Sequence, residues 1–198
     1  MTKATKRTRA LTGTAMLAAV ATILMYMEFP IPIMPAFIKM DISELPALIA
    51  SFAYGPLSGI AVCLIKNLIK LPSTSTAAVG ELFNFVMGAL FVGVAGIVYK
   101  KNKTRKGAII GAVAGALIMA LVSLPYNYFV VYPAYVVMYH LPLEAIIGMY
   151  QAINPNVNGL LACLITFNVP FTFVKGMVDA LLCFLIYKPL SPILHGRK

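Results

Sequence analysis

Four polar residues share one helical register near the C-terminus. Asn168, Thr172, Lys175 and Asp179 recur at i, i+4, i+7 and i+11 in a run otherwise built of Val, Phe, Met, Leu and Ile. Read as a helix from Asn168, they form one narrow stripe. The apolar run continues to Tyr187, long enough at roughly 20 residues to cross a bilayer. An ionisable side chain at that depth faces a partner, a cavity or a ligand rather than lipid. Two readings follow: a binding face, or an internal Lys175–Asp179 pair that ties a helix bundle together. Spacing alone leaves both open.

A second polar set is Glu81, Asn84 and Gly88, at i, i+3 and i+7. A carboxylate and an amide beside a glycine that permits close approach fit either a pocket or an interhelical hydrogen bond. Asp41, Glu44, Lys66, Asn67 and Asn127 complete the polar groups of the predicted outer half, among many Phe, Tyr, Met and Pro. Apolar walls with a few fixed polar groups suit a small, largely aromatic ligand.

Enzymatic motifs are missing from the sequence. No GxxxxGK[ST], HExxH or GxSxG occurs, so ATP hydrolysis by a Walker A loop is excluded and a catalytic reading ranks last. Cys63, Cys163 and Cys183 lack ligand-like spacing and read as small core or lipid-facing residues, with no metal site expected. His140 and His195 stand isolated.

The elements that must hold these residues are apolar. Of 198 residues, 61% are hydrophobic and 11% charged, against about a quarter charged in soluble proteins. This predicts a single all-α integral membrane domain over residues 1–198. The net charge of +10 does not indicate nucleic acid, because no basic recognition surface accompanies it. Three basic groups carry most of it: Lys3, Lys6, Arg7 and Arg9; Lys100, Lys101, Lys103, Arg105 and Lys106; Lys188, Arg197 and Lys198. The positive-inside rule places all three in the cytoplasm, and with them both termini, which requires an even number of crossings.

Six helices are predicted, at about 8–28, 44–54, 57–71, 80–99, 107–126 and 169–188. External loops are expected at 29–43, 72–79 and 127–168, the last holding surface helices near Leu143–Ala152 and Gly159–Thr166. Pro30, Pro32 and Pro35 make the first loop stiff and lid-like. Ser43 and Asn168 read as helix N-caps. Ala15 and Ala19 form a small-xxx-small pair, and Gly107, Gly111 and Gly115 a doubled GxxxG, both patterns of close helix packing.

Several short motifs, in order along the chain, closely resemble the RibU family, the riboflavin-binding S components of energy-coupling factor (ECF) transporters. They are Phe29-Pro-Ile-Pro with Lys39-Met-Asp41, Pro46-Ala-Leu-Ile49, Gly55-Pro56, Lys66-Asn67-Leu68, Gly80-Glu81 with Asn84-Phe85, Asn127-Tyr-Phe129, Pro170-Phe171 with Lys175-Gly176, and Tyr187-Lys188 with Leu190-Ser-Pro192. The resemblance implies a six-helix substrate-binding subunit in the prokaryotic plasma membrane. It would capture riboflavin from outside and deliver it inside when coupled to a transmembrane coupling protein and two ATPase subunits. Riboflavin is then cargo, and no cofactor is implied.

The family's motifs put substrate contacts at Lys175 and Asn127. Thr172 stands where the pattern often has asparagine, and a hydroxyl cannot pair bidentately with an imide edge. Asn84, Glu81, Met40, Asp41 and Phe85 complete the expected binding set, with Phe29 and Met34 as further walls. Ala15 and Ala19 would dock the coupling protein. The competing readings are an S component for another vitamin or flavin, and a self-sufficient secondary transporter using Lys175, Asp179 and Glu81 as a relay. No internal repeat supports the latter.

Overall fold

A computed structural model of the chain describes residues 3–74 and 76–195. Arg197 and Lys198, two members of the C-terminal basic group, lie outside them. The first helix, α1 (Lys3–Tyr26), starts five residues earlier than its apolar core suggests and stops before Pro30. The residue before a proline is biased away from helix. The following loop is not wholly irregular. Phe29–Pro30 (β1) and Lys39–Met40 (β2) form a two-residue antiparallel ladder, with Phe29 opposite Met40 and Pro30 opposite Lys39.

Helices α2 (Glu44–Tyr54) and α3 (Pro56–Lys70) are joined by Gly55 alone. Its φ of 107° is one that side-chain-bearing residues rarely adopt, and Pro56 then opens α3 at the position proline favours. At 11 and 15 residues both are shorter than the roughly 20 needed to span a bilayer untilted.

Helices α4 (Val79–Lys101) and α5 (Arg105–Tyr126) form the central pair. Thr104 caps α5 by accepting from the Gly107 backbone amide, 3.0 Å. Glycines bring the two helices together: a Cβ on Gly111 would lie 2.7 Å from the Ala95 carbonyl oxygen, and one on Gly115 2.5 Å from that of Phe91.

Residues 127–168, expected as an external loop, are largely helical. A π turn over Asn127–Val131 continues α5 into α6 (Tyr132–Tyr139), and α7 (Leu143–Gln151) follows. Then α8 (Gly159–Cys163) passes through a second π turn, Leu164–Asn168, into α9 (Val169–His195). Asn168 is therefore internal to a helix and caps nothing. Pro125 lies inside α5, and Pro133 and Pro170 each follow a π turn by two residues. The widened turns shift the hydrogen-bond register where a proline cannot donate.

Four stretches are long and apolar enough to cross a membrane: Ala4–Tyr26, Val79–Lys101, Arg105–Met138 and Gly159–Tyr187. The main core lies among α1, α2, α3, α4, α5 and α9, around Leu48, Val62, Phe91, Val92, Ala112 and Ala180. A second, aromatic core around Tyr132, Ile146 and Tyr150 closes the opposite end of α9. On α1, Thr14, Ala18, Ala21 and Thr22 are buried, while Ala15 and Ala19 are exposed.

Candidate functional site

The charged side chains inside the bundle form one network. At its centre Lys66, fully buried on α3, donates to Glu44 Oε1 at 2.6 Å, to Asn84 Oδ1 at 3.3 Å and to the Ser43 hydroxyl. The Ser43 hydroxyl and backbone amide both donate to Asp41 Oδ1, the amide at 2.9 Å. Ser43 thus precedes α2 as expected but spends its hydroxyl on the network instead of on a helix amide. From α9, Lys175 Nζ donates to Asp41 Oδ2 at 2.8 Å and lies 3.2 Å from Glu44 Oε2, an ion pair without hydrogen-bond alignment. The network ties the first loop and α2, α3, α4 and α9 together. Gly88 makes room for it, since a Cβ there would stand 3.3 Å from Glu44 Oε1.

Asp41 sits outside the apolar spans. Burial alone would raise its pKa, but the charges of Lys175 and Lys66 and hydrogen bonds from Lys175 and Ser43 hold it well below the usual carboxylate range. A second charged set lies nearer the end of α1. Lys70 Nζ donates to Glu28 Oε2 at 2.6 Å and to the Met25 carbonyl at 3.3 Å, and Lys39 Nζ donates to Glu28 Oε1 at 2.9 Å. Partial burial would raise Glu28, yet the two lysines hold it below its ordinary value. Lys66 and Lys70 are therefore buried members of ion pairs.

Both sets border one cavity of about 180 Å³. Of the residues expected to bind substrate, Lys175, Asn127, Thr172, Asn84, Glu81 and Asp41 line it. Met40 and Phe85 do not: Met40 is buried on β2, and Phe85 packs against the main core. Phe29 is exposed and Met34 is buried, each away from the lining. The aromatic walls come from Phe37, Phe83, Tyr132, Tyr135 and Phe171 instead. Glu81 Oε2 accepts from Thr74 and Thr76 at 2.7 and 2.9 Å, so one of its two carboxylate oxygens is already occupied.

The two π turns carry Asn127 and Asn168 to the lining. Asn168 accepts from the Tyr150 hydroxyl at 2.6 Å and donates to Tyr132 at 3.2 Å, while the Asn127 amide nitrogen is buried with no partner among the described residues. Glu44, named among the outer polar groups but not in the expected binding set, and Tyr132 also line the cavity. Glu44 sits in the first turn of a helix, where an acid is expected for dipole reasons alone. Tyr132 fell in a segment read as loop.

The site's chemistry is recognition. Among the described residues it offers cations already neutralised, an unpartnered amide donor and aromatic walls, with no nucleophile beside a base.

Comparison with known proteins places this arrangement. The family model "ECF transporter, substrate-specific component" matches residues 9–187. The chain is 32% identical over 180 residues to riboflavin transporter RibU of Staphylococcus aureus (strain TCH60), covering 91% of this chain and 89% of that one. It is 33% identical over 187 residues to riboflavin transporter FmnP of Bacillus subtilis (strain 168), covering 93% of each. Among solved structures, one described as the S component of a bacterial ECF transporter superposes with a TM-score of 0.74 at 31% identity, over 95% of this chain and 98% of that one. With sequence, fold and helical spans in agreement, the chain belongs to the ECF transporter substrate-specific components, membrane proteins of transport and not enzymes.

Proposed function

We propose that this chain is the high-affinity riboflavin-binding subunit of an ECF importer. The observation that carries the reading is that two proteins called riboflavin transporters share about a third of its residues over nine-tenths of its length or more. The cavity supports it chemically. A flavin ring is flat and apolar with one amide-rich edge, and the lining combines Phe37, Tyr132, Tyr135 and Phe171 with the polar groups of Asn127, Thr172 and Lys175. Thr172 offers one hydroxyl where an amide would pair twice, so Asn127 and Lys175 carry more of the edge recognition.

In this reading the chain crosses the plasma membrane six times, with α2 and α3 as tilted or short crossings and both termini in the cytoplasm. The cavity opens outside. Transport requires a transmembrane coupling protein and two ATPase subunits, since the chain has no nucleotide-binding motif of its own. Ala15 and Ala19 present the docking face.

The test is direct. Detergent-purified protein carries the twin visible absorption bands of a flavin in near one-to-one ratio, or, if colourless, quenches riboflavin fluorescence saturably. No bands and no quenching would reject riboflavin and leave the family assignment standing.

A further inference from the structure

The local pair that spacing suggested between Lys175 and Asp179 does not form. Lys175 is engaged by Asp41 and Glu44, and Lys66 by Glu44, Ser43 and Asn84. Asp179, four residues further along α9, is fully buried and lines the cavity, and neither of its carboxyl oxygens has a hydrogen-bond partner among the described residues. Three acids, Asp41, Glu44 and Asp179, thus face two lysines that are already committed to the first two.

A buried polar group without a partner opposes folding, and an ionisable one more so. Among the described residues Asp179 makes no hydrogen bond or ion pair that would tie one element to another. Such groups persist where function requires them. The same cavity lining holds the converse feature, the unpartnered Asn127 amide donor. The lining thus presents both an open acceptor and an open donor to a bound molecule.

We infer that Asp179 is a ligand-contacting residue of the cavity, accepting a hydrogen bond from an N–H or O–H group of the bound molecule. The inference rests on the flavin reading above. Riboflavin supplies such a donor in two places, the ring imide N–H and the hydroxyls of its ribityl chain. Asp179 makes the site selective for ligands that present one.

Full-length wild type, Asp179→Asn and Asp179→Leu are purified, melted without ligand, and titrated with riboflavin, lumiflavin and N3-methylriboflavin. Lumiflavin lacks the polyol and the methylated analogue lacks the imide N–H. Asp179→Leu, which removes the acceptor, should bind riboflavin roughly tenfold more weakly, and Asp179→Asn, which keeps one acceptor oxygen, should lose less. Their ligand-free melting temperatures should equal or exceed that of wild type, which a merely structural residue would not allow. The wild-type-to-variant ratio should collapse toward one for the analogue missing the relevant donor, lumiflavin if it is a hydroxyl and the methylated flavin if it is the imide. Unchanged riboflavin affinity in both variants, or losses matched by lower melting temperatures, would overturn the role of Asp179. Wild type that fails to bind riboflavin would overturn the flavin reading and this inference with it, and that outcome shows in the wild-type arm alone.

Discussion

Lys66 and Lys39 both pair with glutamates, yet their surroundings make the two pairs unequal. Lys66 and Glu44 are 0% and 3% exposed, whereas Lys39 is 40% exposed against Glu28 at 26%. Removing one member of a buried pair strands the other charge, at a cost of about 3–5 kcal/mol. An exposed pair is worth at most about 1 kcal/mol after side-chain entropy and screening. Lys66→Met should therefore lower thermal stability sharply or prevent recovery of folded protein, while Lys39→Ala should shift the melting temperature little; comparable shifts for the two would contradict this ranking. The stripe Asn168, Thr172, Lys175 and Asp179 was legible from spacing, because a helix's period fixes which residues share a face, and all four line the cavity. Their partners were not legible. Asp41 lies 134 residues from Lys175, and local spacing pointed to Asp179 because it is blind to tertiary neighbours.

The first loop acts as one element because charge fastens it at two points. Lys39 on β2 reaches Glu28 beside β1, and Asp41 just past β2 reaches Lys175 on α9. Both carboxylates are held below their ordinary values in the folded protein, Asp41 chiefly by Lys175 against the opposing effect of burial, and Glu28 by Lys70 and Lys39. A depressed folded value stabilises the fold fully above the unfolded value, about 4, and the benefit is lost as pH falls through the folded one. Melting temperature and riboflavin affinity should hold between neutrality and roughly pH 5 and then decline as pH is lowered further, and Asp41→Asn should flatten the decline. An affinity profile that stays flat below that point in wild type would show the fastening to be irrelevant to binding. At this scale the apolar runs located α2 through α5 to within two residues, since their ends carry Gly, Pro and basic signals. Of the helices across 127–168, α7 and α8 fall where short surface helices were expected, whereas α6 and the two π turns were not legible, because proline, tyrosine and asparagine there read as turn residues and a π turn leaves no period to detect.

At the scale of the molecule, charge is partitioned. Twelve of the sixteen basic residues fall in the three groups near the termini and between α4 and α5, and the other four are Lys39, Lys66, Lys70 and Lys175. Each of these four makes an ion pair at or beside the cavity, and Glu28, Asp41, Glu44, Glu81 and Asp179, five of the six acids, line it. One end of the bundle thus gathers the paired charges, while the order of residues along the chain already put the three basic groups elsewhere. The flank of the bundle has a different task. On α1, which packs on α2 and α3, Thr14, Ala18, Ala21 and Thr22 are buried, yet Ala15 and Ala19 face out beside the exposed Leu11, Met16, Val20 and Ile23. Small residues gain nothing from lipid but let another helix's backbone approach closely. If that face docks the coupling protein, Ala15→Trp with Ala19→Trp should leave riboflavin titrations within about twofold of wild type, because neither residue reaches the cavity, while uptake into cells expressing the coupling module falls by roughly tenfold or more. Binding and uptake falling together would assign α1 to the site's architecture, and unimpaired uptake would move the docking face to another helix.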